Sequence, residues 1–381
     1  MTIEPRGTVA PRFAAVRDAF VENFAQHGDV GAACCVYLDG RPVVDLWGGV
    51  ADHTTNRAWD ADTPVIVFSA TKGVTATAVH LLIERGVLDP DAPIASYWPE
   101  FAAAGKGGIP LRWAMAHRAG LAAVEGALSL AEVLAWDPVV RAIAAQAPNW
   151  EPGTAHGYHA RAYGWILGEV IRRVTGRSPG RFVAEEIAAP LGLEFWIGLP
   201  APVMARRARM IPAGEGLPSL TDLLGADSLT AQVMNGPNNL FHYDTMWNRD
   251  DVLAAEMPSS NGVGTARALA RMYAALIGEV DGRRLLQPAT VARATEVQSQ
   301  GPDKVLIIST CFGLGFMLQP IMAPDGGPRC FGHTGAGGSI AFADPDTGMS
   351  FGYVTSQLRF DMAGDPRSRA LVRAVYASLA A

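Results

Sequence analysis

Val65-Ile66-Val67-Phe68-Ser69-Ala70-Thr71-Lys72-Gly73 is the stretch that decides the fold. A four-residue apolar run leads into a Ser-x-x-Lys tetrad. The chain holds 15 Ser and only 3 Lys (Lys72, Lys106, Lys304) among 381 residues. Random placement would give roughly 0.1 such pair, and Ser-x-x-Lys is a nucleophile-plus-base signature. On a helix, residues i and i+3 share a face, with Cβ atoms about 5–6 Å apart. The Lys72 amine can therefore reach one turn back and take the Ser69 proton. It must be neutral part of the time to do so. An ordinary Lys titrates near 10.4, and burial lowers that value. Taken alone, the tetrad is also a helix start with Ser69 as N-cap. Its flanks favour the nucleophile: an apolar run precedes the serine, and Gly73 allows close packing beside a site.

Two further segments could carry chemistry. Trp150-Glu151-Pro152-Gly153-Thr154-Ala155-His156-Gly157-Tyr158-His159-Ala160 places Tyr158 in a loop just before a helix. A Tyr hydroxyl near a cation can be held partly as phenolate and can shuttle protons. A packed aromatic with a bonded hydroxyl is the plainer reading. Gly332-His333-Thr334-Gly335-Ala336-Gly337-Gly338-Ser339 is glycine-dense before a strand. Such backbone approaches a ligand closely, or else makes a bulge or turn. One N–H here and that of Ser69 could hold an oxyanion.

Composition removes several classes. Apolar residues are 49%, charged residues 18% and the net charge is −6, an ordinary globular balance. No dense Lys/Arg run occurs, so neither nucleic acid nor an anionic membrane is an expected partner. No apolar run reaches 18 residues, and Met1–Phe13 has no signal-peptide core, so a cytoplasmic protein is expected. Cys34, Cys35, Cys311 and Cys330 form no C-x-x-C pair and read as buried free thiols. His156 and His159 lie at i, i+3 near Glu151, but no third ligand is evident, so neither a metal nor another cofactor is expected. No Gly-x-Ser-x-Gly elbow surrounds any serine, which argues against a Ser-His-Asp hydrolase.

The remaining pattern gives the architecture. Phe13, Val16, Phe20 and Phe24 mark a helix over 10–27. Asp39-Gly40 between two apolar runs marks a hairpin. Helices are expected from Ser69 to Gly86, over 160–175 ending at Gly176, and from Thr265 to about Ile277. Phe312–Leu318, Ser339–Phe342 and Met349–Thr355 read as strands, and Asp365-Pro366 opens a last helix. Strands at both ends and helices between predict an α/β (α+β) fold, an antiparallel sheet flanked by helices. Its sheet domain would come from residues 1–65 and 306–381, with a mostly helical domain at 66–305. The irregular stretch 200–262 reads as a functional loop.

In this order and at these spacings, the three segments resemble the serine β-lactamase and penicillin-binding-protein superfamily. Its motifs are Ser-x-x-Lys, Tyr-x-Asn and Lys-Thr-Gly, here matched by Ser69–Lys72, Tyr158–Ala160 and His333–Gly335. Within it, the chain is similar to the family VIII carboxylesterases. The resemblance implies acyl transfer with Ser69 as nucleophile and with Lys72 and Tyr158 sharing the general base and acid roles, either of them taking the first proton. The N–H groups of Ser69 and Ala336 would hold the oxyanion. His333, Gly335 and His159 would contact substrate. From the loop 200–262, Phe241, Tyr243, Met246 and Trp247 are expected as apolar lining. Two departures bear on the substrate. Ala160 replaces the amide-binding Asn, and His333 replaces the Lys that pairs with a lactam carboxylate. Both favour small carboxylic esters over lactams. A β-lactamase, a D-amino-acid peptidase or amidase and an acyltransferase are the alternatives of the same chemistry. A penicillin-recognising sensor or an inactive homologue is the non-enzymatic one.

Overall fold

The computed structural model describes residues 3–213, 223–360 and 364–381. The N-terminal part supplies strands β1 (Arg6–Val9), β2 (Gly31–Leu38), β3 (Arg41–Asp52) and β4 (Arg57–Ala58). Three short strands, β5 (Val65–Ile66), β6 (Phe195–Trp196) and β7 (Val263–Gly264), lie in the middle of the chain. The C-terminal part supplies β8 (Ser299–Pro302), β9 (Ser309–Phe312), β10 (Met317–Leu318), β11 (Phe331–Thr334), β12 (Ile340–Asp344) and β13 (Met349–Thr355). One antiparallel sheet joins both ends of the chain in the order β1-β3-β2-β13-β12-β11-β10-β9-β8, with β4 on β3. A small sheet runs β5-β7-β6.

Local chemistry fixes the register. Leu38 pairs with Arg41, and both turn residues between them are left-handed, Asp39 at φ 48° and Gly40 at φ 74°. That turn matches the twist of the strands it joins. At the sheet centre, all seven residues of β13 are buried. Its faces are covered from both sides. Helix Ala266–Ile277, capped by Thr265, packs on β13, β12 and β2. Gly352 makes this possible, because a Cβ there would lie 2.4 Å from the Ala266 carbonyl oxygen. The opposite face carries helix α1 (Ala14–Gln26) and the C-terminal helix Pro366–Ala380, which also pack on each other. Cys34 and Cys35 enter the two different cores, as residues adjacent on a strand must. All four cysteines are buried and free.

Two expectations need revision. Phe312–Leu318 is not one strand. β9 ends at Phe312 and β10 starts at Met317, and those two residues pair across a tight bend. Gly315 allows the bend, at φ 87° and with its Cα hydrogen against Ala76 of the next layer. The packing also cuts across the expected division at 305/306. β8 belongs to the large sheet and Ala266–Ile277 lies on it, although both fall within 66–305. The described parts of 200–262 hold short helical pieces, Ala201–Met204, Leu229–Met234 and Asp250–Ala254; positions 214–222 lie outside the described residues. No described helix is long and apolar enough to cross a membrane.

Candidate active site

Ser69 sits in the 3-10 turn Phe68–Ala70, which runs directly into helix α2 (Thr71–Glu84). The turn is strained. Phe68 lies at φ 46°, a region that bulky residues rarely adopt. It is held from several sides. Thr71 Oγ1 donates to the Phe68 carbonyl and accepts from Gly262 N at 3.0 Å. Val67 N donates to the Gly262 carbonyl at 2.9 Å. The Phe68 ring packs edge-on to Trp247 at 5.2 Å and Tyr243 at 5.6 Å. The strain leaves the serine half-buried at the mouth of a cleft while its neighbours are buried.

Lys72 is 0% exposed. Its Nζ lies 2.7 Å from the Ala160 carbonyl oxygen, 3.0 Å from that of Ser259 and 3.2 Å from Ser69 Oγ. The amine therefore donates to two carbonyls, and its third direction points at the Ser69 hydroxyl. Burial holds its pKa well below the usual Lys value, and the nearby Arg161 guanidinium adds to the effect. A neutral amine has two N–H groups and one lone pair. That inventory fits two carbonyls and one hydroxyl.

Tyr158 is 5% exposed, and its ring lies 4.7 Å from Lys72 Nζ. Its hydroxyl hydrogen-bonds with Ser69, yet burial still raises its pKa above the usual range. The expectation of a partial phenolate is corrected here. Burial outweighs the Ser69 hydrogen bond and the nearby Arg161 charge, both of which favour the phenolate. The loop is fixed from below by Asp303, whose Oδ1 accepts from Tyr158 N at 3.0 Å. Thr310 Oγ1 donates to Asp303 Oδ2 at 3.1 Å, and His156 Nε2 meets Thr310 Oγ1 at 2.8 Å.

The third segment lies against the nucleophile turn. A Cβ on Gly335 would fall 2.1 Å from the Val67 carbonyl oxygen, so only glycine allows this approach. Half-buried Ala336 opens the turn Ala336–Gly338. Arg367 pins that turn from behind: Nη2 donates to the Gly337 carbonyl at 2.8 Å, and the guanidinium pairs with buried Asp29 at 3.1 Å.

The cleft over Ser69 has an empty volume of about 260 Å³, part of it open to solvent. Phe68, Met234, Tyr243 and Trp247 give it an apolar wall, with Arg161 and Ser260 as polar members. Trp247 belongs to that wall. Of the other expected contact residues, Gly335, Phe241, Met246, His159 and His333 are not among the lining. Phe241 is fully buried and packs on Trp247 at 5.5 Å. His159 is fully buried: Nδ1 donates to the Gly157 carbonyl at 2.7 Å, and Nε2 accepts from Leu121 N at 3.1 Å. Both ring nitrogens are used to brace loops, and burial holds its pKa at about 4. His333 is 1% exposed, beside the Tyr158 ring at 6.0 Å. Its Nδ1 donates to the Thr334 carbonyl at 2.6 Å, and Nε2 has no partner. Burial lowers its pKa to about 3, so position 333 carries no charge.

Sequence reasoning missed four contributors. Asp303, His117, Ser259 and Arg161 lie far apart in the chain or follow no motif. His117 packs against Tyr158 at 5.0 Å, and its Nδ1 accepts from His159 N at 3.1 Å. Arg161 had one legible signal: an arginine at the N-cap of helix Ala162–Thr175, directly after Tyr158-His159-Ala160.

Comparison with known proteins agrees with this geometry. The family model "Beta-lactamase" matches residues 16–374. The esterase/beta-lactamase LipL of Mycobacterium tuberculosis is 38% identical over 360 residues, covering 92% of this chain and 83% of LipL. The crystal structure of a family VIII carboxylesterase superposes with a TM-score of 0.90 at 36% identity, over 98% of this chain and 100% of that one. A penicillin-binding-protein homologue from Caulobacter crescentus superposes with a TM-score of 0.87 at 38% identity, over 98% and 100%. With nearly its whole length matched, the chain belongs to the beta-lactamase family, as a hydrolase of the esterase/beta-lactamase type.

Proposed function

We propose that the protein hydrolyses small carboxylic esters through an acyl-enzyme on Ser69. The observation that carries this reading is the contact between Ser69 Oγ and a buried amine, 3.2 Å away, that has no acidic partner among the described residues. Lys72 accepts the Ser69 proton as Oγ bonds to the ester carbonyl carbon. The Tyr158 phenol gives its proton to the leaving alkoxide as the C–O bond breaks, and Lys72 restores that proton. Water then attacks the acyl-enzyme, losing a proton to Lys72, and the acid departs as Oγ regains its hydrogen. The N–H groups of Ser69 and Ala336 hold the oxyanion in both halves.

Esters are favoured over lactams by the uncharged His333 and by Ala160, which offers no side-chain amide. The apolar wall of Phe68, Met234, Tyr243 and Trp247 suits a short acyl group. β-Lactam hydrolysis is the second reading, favoured by the name of LipL, which joins both activities. The test sets p-nitrophenyl acetate and butyrate beside nitrocefin, with Ser69→Ala as control. Rapid ester turnover, lost in Ser69→Ala, is expected, as is an intact-mass adduct with a fluorophosphonate on the wild type only. Ester turnover undiminished in Ser69→Ala would end the proposal. Faster nitrocefin turnover would transfer it to the second reading.

A further inference from the structure

Arg161 is the charged group of the cleft that the proposed reaction leaves without a task. It is 5% exposed and lines the same cleft as Ser69 and Tyr158. Nη1 donates to the Val233 carbonyl at 3.1 Å and the Met234 carbonyl at 2.7 Å. The rings of Phe241 and Trp247 lie 4.4 Å and 5.8 Å from the guanidinium carbon. Nε is buried with no hydrogen-bond partner. The Nε side of the fork, which pairs bidentately with carboxylates, thus has no acceptor among the described residues. The groups that favour its charge are the hydroxyls of Tyr243 and Tyr158, both held protonated by burial.

A buried charge is ordinarily paired, because an uncompensated one is costly. Arg161 is also placed where a paired charge would be useful. The segment that resembles Lys-Thr-Gly holds no cation, since His333 is neutral, so Arg161 is the anion-recognising group of the cleft.

We propose that Arg161 binds a carboxylate carried by the substrate, so that the preferred substrates are small esters bearing a free carboxylate, such as half-esters of dicarboxylic acids. This rests on the esterase reading. It also assigns the source of the missing counter-charge: the ligand supplies it on binding. A charge-assisted, bidentate contact in a buried site corresponds to about a ten- to hundredfold preference over the neutral isostere.

The test compares kcat/KM for the mono-p-nitrophenyl ester of glutaric acid with that for p-nitrophenyl valerate. A second pair, 4-acetoxybenzoate against 4-acetoxybenzamide, places the carboxylate on the alcohol side instead, with leaving phenols of similar acidity. In one pair or the other, the anionic ester is expected to win by tenfold or more. The ratio is expected to fall to about one in Arg161→Gln, and to an intermediate value in Arg161→Lys, which keeps the charge but not the fork. Thermal unfolding of Ser69→Ala with glutarate or benzoate gives a readout independent of turnover. One of these anions should raise its melting temperature, and the effect should vanish in Ser69→Ala/Arg161→Gln. Ratios near one in both pairs, or a preference that persists in Arg161→Gln, overturn the anion site while neutral-ester turnover keeps the esterase reading. Arg161-dependent stabilisation by an anion, with no ester hydrolysed, does the reverse. If Arg161→Gln does not fold, the ratio in Arg161→Lys decides: no change from wild type overturns the proposal.

Discussion

Lys72→Met is the sharpest perturbation of this site, because methionine occupies a similar volume and removes only the amine. In the native protein Nζ touches Ser69 Oγ at 3.2 Å and donates to the carbonyls of Ala160 and Ser259. Removing it has two separable effects. The serine loses its proton acceptor, and the Tyr158 phenol, held protonated by burial, cannot replace it. General-base catalysis contributes about 10²–10⁴-fold, and a nucleophile and its base act as one unit. We expect kcat/KM for p-nitrophenyl butyrate to fall by about 10³ or more. The second effect is on stability. Two buried carbonyls lose a donor, at about 1–3 kcal/mol each. The variant no longer keeps an amine out of water, which offsets part of that loss. The offset depends on pH. The folded pKa of Lys72 lies below the ordinary value, so between the two the unfolded chain binds a proton that the native chain does not. Wild-type stability therefore rises with pH through that window, and Lys72→Met lacks this rise. The variant should compare best with wild type near pH 7 and worst near pH 10. Steady-state p-nitrophenolate release and urea unfolding at pH 7 and 9.5 measure both effects. Turnover within tenfold of wild type would refute Lys72 as the base. A stability difference that is flat in pH would refute the neutral buried amine.

Further outcomes follow from the same geometry. Tyr158→Phe should lower kcat for alkyl esters far more than for p-nitrophenyl esters, whose leaving group needs no proton; equal losses on both would count against Tyr158 as the acid. Gly335→Ala would bring a Cβ to 2.1 Å from the Val67 carbonyl oxygen, displacing the serine turn. A loss of about 1–3 kcal/mol in urea unfolding is expected, with a fall in kcat larger than the change in KM. Acid should unfold the protein early. His80 and His159 are held near pKa 4 and His333 near 3, all by burial. Below about 6.5 the unfolded chain binds these protons and the native one does not, so stability falls by about 1.4 kcal/mol per pH unit for each histidine. Unfolding free energies at pH 7 and pH 5 check this, and equal values would refute neutral burial of the three.

The sequence by itself determined the pairing of Ser69 with a neighbouring amine and most of the scaffold. Ser69 and Lys72 are three residues apart, so the helix alone brings them together. Asp39-Gly40, Thr265, Asp365-Pro366 and Gly176 declared their turns and caps because turn and cap chemistry is local. Tyr158 and the Gly335 turn were legible only together with the tetrad, since a tyrosine before a helix and a glycine cluster before a strand have many uses.

Tertiary structure decided the electrostatics and the shape of the cleft. A side chain's charge state depends on what surrounds it in three dimensions. Burial lowers the Lys72 pKa, with the Arg161 guanidinium adding to the effect, and His333 is neutral because it is buried beside Tyr158. His159 and His333, polar residues within the expected motifs, turned inward as braces. Arg161, outside every motif position, reached the cleft with no acid beside it among the described residues. The tetrad set Ser69 against Lys72 by local geometry; the long-range packing around it buried the amine and placed a cation at residue 161 of the cleft.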